Sequence, residues 1–246
     1  MEEKQSLGRK FQNMMLLAVV LMAALVIYNQ QQISAISSSF GIKSSLDLVS
    51  GSVSEQVNLL ADKKDLSDVD VTQITSTQKA VGLLFPVKDI KTTDDAMAMM
   101  ISSGAPAYSE KVGGISFDDP ITSMEYLAKL YPIIKEEIKQ NPEQWQRYLS
   151  LAAAPRGISC EFCCGIGPQG VDSEGNLRCG CKHNPAVQAL TLSLIKNTDY
   201  SDAEILREVM KWKALFFPKN MIGIAISLAG KDASSLENLP GMVGGC

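Results

Sequence analysis

The second half of the chain carries apolar residues at helical spacing, interrupted once. In "ITSMEYLAKLYPIIKEEIKQ", Met124, Leu127, Leu130 or Tyr131, Ile134 and Ile138 fall on one stripe, which predicts a helix with one core-facing side. Pro132 lies within it and should kink or restart it, because proline lacks the N–H that an interior turn uses. "NPEQWQRYLSLAAAP" predicts the next helix, with Asn141 as cap and Pro142 at the first helical position. "NPAVQALTLSLIKN" opens on the same pairing, Asn184 and Pro185. "SDAEILREVMKWKALFFP" starts with a capping box, Ser201 and Glu204. Its face of Ile205, Val209, Trp212 and Phe216 runs at spacings of 4, 3 and 4 until Pro218 ends it.

The preceding segments are less regular. "TTDDAMAMMISSG" predicts a short helix with Thr92 or Thr93 as N-cap, Asp94 and Asp95 in the first turn and Gly104 as terminator. "AVGLLFPV" reads as a strand or an extended packing segment, and "APAYSEKVGGISFDDP" as loop. No internal repeat or alternating strand series is visible. The fold class is therefore mostly α, with a loop at 158–184 set between two helical pairs in a domain spanning 79–220. The tail, 221–246, reads as a short apolar helix followed by a Gly-rich end.

The N-terminus changes this picture. Lys4, Arg9 and Lys10 precede an uncharged run from Met14 to Tyr28 that contains neither Pro nor Gly. Flanking residues extend it toward the roughly 20 that a membrane span needs. A cleavable signal peptide has a similar pattern, but no clean small-x-small site follows, Ile33-Ser34-Ala35 being the nearest approach. The expectation is a cytoplasmic N-terminus and a single transmembrane anchor over 1–33. A Ser-rich tether follows over 34–78, and the rest lies outside the plasma membrane by the positive-inside rule. The membrane is the one partner this implies, and no protein partner is identifiable. Lys+Arg number 23 against 27 Asp+Glu, with no basic stripe, so nucleic-acid binding is not expected.

The loop itself holds five of the chain's six cysteines and its only histidine. The spacing is Cys160-x-x-Cys163-Cys164, then a Gly-rich interval of fourteen residues, then Cys179-x-Cys181-x-His183. A C-x-x-C turn lets two sulfurs converge on one ion. The glycines and the "DSEGN" turn suit a hairpin-like return, and alternation at 179, 181 and 183 points all three donors to one side in extended backbone. Six donors exceed the four of a closed tetrahedral site, which fits an exchanging site, a two-metal site, or a site plus a disulfide. With Asn184 capping, the second arm would sit at a helix N-terminus, where partial positive charge favours thiolates.

Metal ligation by Cys160, Cys163, Cys164, Cys179, Cys181 and His183 is the first expectation, with zinc favoured and Cu(I) or an iron–sulfur centre as alternatives. Redox-active thiols, Cys179 and Cys181 foremost, are the second. Structural disulfides, allowed outside the cell, are the third. A histidine inside the cluster favours metal, since disulfides need none. The chain reads as a binding module more than an enzyme: G-x-S-x-G, Walker and H-E-x-x-H motifs are all absent. Met97, Met99 and Met100 could relay a soft metal, but helix-core packing is the simpler reading. Asp94-Asp95 and Asp118-Asp119 fall where helix caps are expected, and Trp145, Trp212, Phe216 and Phe217 where core is expected. Cys246 is a stray thiol or a sixth sulfur folding back.

Residues Ser159 to Pro218 resemble a group of membrane-anchored prokaryotic, largely archaeal, proteins with C-x-x-C-C-G, then C-G-C-x-H, then a "KWKALFFP"-like helix end. The resemblance implies no particular activity. "CGC" followed by helices is similar to lipoproteins with a P-C-Y-C-G-C motif, although Arg178 replaces the tyrosine and the first Pro-Cys is absent. Leu177-Arg178-Cys179 and Ser201 to Ile205 resemble cytochrome c maturation thiol proteins with L-R-C-x-x-C. That likeness implies apocytochrome thiol exchange. Here Cys179 and Cys181 enclose one residue instead of two, which departs from that pattern.

Overall fold

The computed structural model describes residues 61–245 apart from 63, 234 and 235, all within the unit Ser52–Cys246. The expected anchor, most of the tether and Cys246 lie outside the described residues. Among those described, no helix is long and apolar enough to cross a membrane. They form eight α-helices and no strand: α1 (Thr77–Leu84), α2 (Thr93–Met100), α3 (Pro120–Lys139), α4 (Pro142–Ala152), α5 (Glu161–Cys164), α6 (His183–Asn197), α7 (Asp202–Phe216) and α8 (Pro218–Leu228).

The centre is α6. It packs against α3, α4 and α7, while α7 also meets α1 and α8. Because it is covered on every side, α6 buries Val187, Leu190, Leu192 and Leu194 together with Ala186, Ala189, Thr191 and Ser193. Small residues interleaved with leucines let neighbouring helices approach closely. Each fully buried leucine stabilises the fold by about 1.5–3 kcal/mol. α3 presents Met124, Leu127, Tyr131, Ile134 and Ile138 to this core, the stripe read from the sequence with Tyr131 chosen over Leu130. The cysteine loop emerges between α4 and α6, so a helical pair stands on either side of it.

Several expectations about helix ends hold. Asn141 caps α4 ahead of Pro142, and the capping boxes Thr92/Asp95 and Ser201/Glu204 are both formed. Others need correction. "AVGLLFPV" is neither strand nor extended: Ser76 accepts from the Lys79 N–H and starts α1, whose buried stripe is Thr77, Ala80, Val81 and Leu84. Reading from Ala80 cut off the first turn and hid the helical period. Pro132 does not divide α3, which runs through it with the proline on the solvent side. There, water can serve the freed carbonyl. α2 ends at Met100, and Gly104 (φ 77°) instead turns the chain so that its N–H reaches Asp118. Pro218 ends α7 and at once begins α8.

The end of the expected tether is packed. Ala61, Leu66 and Ile74 are buried, Lys211 Nζ binds Asp62 at 2.8 Å, and Arg207 donates to the Lys64 carbonyl. Packing therefore reaches back beyond Lys79.

One close approach holds the loop to α6. A Cβ on Gly170 would collide with the Gln188 amide, the Ile158 carbonyl and Asn184 Oδ1. Gly170→Ala is expected to destabilise the fold by about 1–3 kcal/mol, the usual cost of overpacking, read as a lower urea midpoint. An unchanged midpoint would mean that the loop is not clamped there.

Candidate metal centre

Each cysteine arm is fixed by the backbone before it reaches a sulfur. Upstream of Cys160, Gly157 N–H donates to Pro168 O at 2.9 Å, Ser159 Oγ to Gly167 O at 2.7 Å, and Ile158 pairs with Gln169 in a parallel bridge. α5 is a single turn, with Cys163 N–H bonded to Cys160 O and Gly165 (φ 65°) ending it in the left-handed region. Downstream, Val171 pairs with Leu177 around a turn in which Asp172 accepts from the Glu174 and Asn176 N–H groups. Those bonds hold the Asp172 carboxyl below its ordinary range. Arg178 N–H then returns to Gly170 O at 3.0 Å. The hairpin-like return read from the glycines is present.

Asn184 does not cap the following helix. α6 begins at His183 with no side-chain cap. Fully buried, Asn184 donates from Nδ2 to Gly170 O at 2.8 Å and accepts from Gln188 Nε2 at 3.1 Å. Gln188 Nε2 also reaches Ile158 O at 2.9 Å, and Tyr148 OH donates to Gln188 Oε1 at 3.0 Å. This amide pair binds both arms to α6, and sequence reading missed it. The signal was two polar side chains four apart on an otherwise apolar helix.

The arms bring the sulfurs of Cys160, Cys164, Cys179 and Cys181 within 4.8 Å of one another. Cys163, Cys181 and His183 form a second group within the same distance. All six donors expected from the sequence therefore meet, in two overlapping sets. Cys164 and Cys179 are joined as a disulfide and Cys163 is disulfide-bonded as well, while Cys160 and Cys181 are free thiols 3.1 Å apart. Cys160 is fully buried and Cys164 exposed, so the nest is open on one side.

Cys181 is held well below the ordinary thiol range. Hydrogen bonding from Cys160 is the largest cause, opposed by burial and helped by the N–H groups of Asn184 and His183. Cys160 is pushed up by the same bond, by burial and by the charge on Cys181. Beneath α5 lies Lys213, fully buried and also missed by sequence reading. Its Nζ donates to Glu161 Oε1 at 2.8 Å, Thr77 Oγ1 at 2.9 Å and Gly157 O at 2.9 Å, and it lies 5.0 Å from the Phe162 ring. Burial lowers its pKa, and the Glu161 charge opposes that shift.

His183 is buried between Phe216 and Phe217, with ring centroids 5.4 Å and 4.9 Å away, and its Nε2 is 2.7 Å from Val243 O. The other candidates are structural. Met99 and Met100 are core residues with Met97 packed beside them, Asp95 and Asp119 cap helices, and Asp118 accepts from Gly104. Trp212, Phe216 and Phe217 are core, and Trp145 packs against the loop at Gly175. A cavity of about 200 Å³ at Tyr108, Phe117, Tyr200 and Glu208 lies apart from the cysteines. Lys211 there is bound by Glu208 at 2.7 Å and Asp62 at 2.8 Å.

Comparison of the chain with protein-family models, curated proteins and solved structures gave no match. The functional reading rests on the site.

In metal-free protein with its disulfides intact, Cys181 should be alkylated as a thiolate at neutral pH while Cys160 stays protected. Its alkylation rate should be flat near neutrality and fall only in acid, as the depressed thiol protonates. Mass spectrometry of the labelled peptides checks this, and equal labelling of both cysteines would show that their coupling is not as described.

Proposed function

We propose that the chain is a metal–thiolate protein whose centre is built from Cys160, Cys164, Cys179 and Cys181, with zinc as the preferred ion. The observation that carries this is the mutual approach of four sulfurs within 4.8 Å from two arms of one loop. A tetrahedral zinc with bonds of about 2.3 Å spaces its sulfurs by about 3.8 Å, which a nest of this size accommodates with small side-chain shifts. An iron–sulfur cluster interposes iron and sulfide between its cysteines and holds them further apart, so a single ion fits better. Ligation requires thiolates. The Cys164–Cys179 disulfide must therefore be reduced, and disulfide and metal are alternative states of the same sulfurs. The lowered pKa of Cys181 and the exposure of Cys164 favour entry of an ion from the open side. The uncharged run at Met14–Tyr28 extends the proposal to an anchored protein whose helical domain lies outside the membrane.

Thiol–disulfide exchange is a second reading, favoured by a free thiol pair beside a disulfide. In it the Cys181 thiolate attacks Cys179 Sγ, a new S–S bond forms, and Cys164 leaves as thiolate. Every group needed lies within 4.8 Å.

Full chain reduced with a phosphine and purified anaerobically should bind zinc tightly, releasing protons as it does so, and should show fewer titratable thiols once loaded. Cys179→Ser should lower zinc affinity at least tenfold. Elemental analysis with thiol counting checks both, and absence of bound zinc together with trapped mixed disulfides at Cys181 would install the exchange reading instead. Membrane fractionation of the same chain tests the anchor.

A further inference from the structure

Cys181 belongs to both donor groups. Beyond the four-sulfur set, Cys163 Sγ, Cys181 Sγ and a ring nitrogen of His183 also lie within 4.8 Å of one another. The neighbouring Cys163 and Cys164 sulfurs are 3.7 Å apart, one serving each set. Consecutive residues on a helical turn project in different directions, and here Cys164 joins the four-sulfur group while Cys163 joins the group with His183.

The tautomer of His183 points the same way. Val243 O lies 2.7 Å from Nε2, and a carbonyl only accepts, so Nε2 carries the proton. In the neutral ring Nδ1 then presents a lone pair. That atom is buried, and it has no hydrogen-bond partner. Histidines that ligate metal are typically oriented in this way, with a carbonyl behind the distal N–H fixing the ring. The tail that supplies the carbonyl is itself held, since Val243 N–H donates to Phe216 O at 2.9 Å and Lys219 N–H to Pro240 O at 3.3 Å. The rings of Phe216 and Phe217 fix the plane of the imidazole.

Charge gives a third argument. Five thiolates around one dication leave three negative charges uncompensated in a partly buried nest; around two dications they leave one. Lys213, paired with Glu161 at 2.8 Å, makes up little of the difference.

We infer that the chain, once the disulfide at Cys163 is reduced as well as Cys164–Cys179, holds a second divalent cation of the zinc class at Cys163, Cys181 and His183 Nδ1, with the Cys181 thiolate bridging the two ions. This rests on the four-sulfur centre proposed above. Three protein donors leave a tetrahedral ion one open position, as in sites that exchange or activate a ligand. The second ion is accordingly the exchangeable one, and the four-sulfur ion the retained one.

The test is a cobalt(II) titration of the full chain in detergent, reduced with a phosphine under anaerobic conditions. Two equivalents should bind, with sulfur-to-cobalt charge-transfer bands growing through both. The paramagnetic signal of the first ion should weaken as the second binds, because a shared thiolate couples the spins. His183→Ala and, independently, Cys163→Ser should each lower the capacity from two equivalents to one and leave the first-equivalent spectrum in place. Cys163 lies at the half-buried edge of the nest, so its variant reports even if the buried His183 variant misfolds. Saturation of the unaltered chain at one equivalent overturns the inference and leaves the four-sulfur centre standing. Retention of two equivalents by the Cys163 variant also overturns it. A chain that binds no cobalt overturns both.

Discussion

The carboxamide of Gln188 is the contact on which the rest of the structure depends. It sits in the buried middle of the domain, where an unpaired amide would cost about 1–3 kcal/mol. Its partners are Tyr148 OH on α4, Ile158 O before the first cysteine arm, and Asn184 Oδ1 at the start of α6. Asn184 passes the connection to Gly170 O before the second arm. One amide pair thus sets the height of both arms above the same helix. Gly170 must lack a side chain so that the backbone can come close enough to be held. The sulfurs converge because the carbonyls below them are held by these two amides.

Lys213 supports the first arm by a different means. A fully buried ammonium is costly unless paired and hydrogen-bonded, and here three acceptors surround it. Two belong to the arm, Gly157 O and Glu161, while Thr77 belongs to α1. The pair pins α5 to α7, and the Lys213 charge offsets only a small part of what opposes ionisation of Cys160. The electrostatic demand of the thiolates must then be met from within the nest. A bound cation meets it, and so does removal of the thiolates as disulfides. Cys160, most deeply buried, is also the thiol whose ionisation is most strongly opposed.

Much of this was legible in the sequence where local chemistry decides structure. The stripe on α3, the capping box at Ser201 and the Asn-Pro start of α4 each follow from interactions within one turn, and each is present. Spacing also named all six donors that meet at the site. What sequence could not convey was long-range partnership. Asn184 looked like a cap because Asn-Pro is a cap signal, yet burial against Gly170 diverted its side chain. Lys213 carried no signal of its role, because nothing local reveals that Glu161, fifty-two residues earlier, pairs with it. The division of the donors into two sets was equally hidden, since it depends on how a single turn at Glu161–Cys164 is oriented over α6. α1 was missed for a simpler reason: its first turn is polar, and the apolar run alone suggested extended chain.

The passive alternative, cysteines serving only as staples, explains the arrangement least well. A cross-link stabilises chiefly by removing freedom from the unfolded chain, and one spanning the fifteen residues from Cys164 to Cys179 contributes about 3 kcal/mol. The folded shape of the loop, however, does not depend on that bond. Bridges at Ile158–Gln169 and Val171–Leu177, together with the Asn184 and Gln188 amides, already close it on both sides of the cysteines. Nor would stapling require a histidine whose ring is clamped by two phenylalanines and a backbone carbonyl. Stabilisation could have been obtained with one disulfide and no free thiols, whereas Cys160 and Cys181 remain as thiols in the midst of the cluster. A fold that holds six soft donors in place by contacts independent of sulfur chemistry leaves that chemistry free to change, and exchange of metal or electrons at a fixed site needs that freedom.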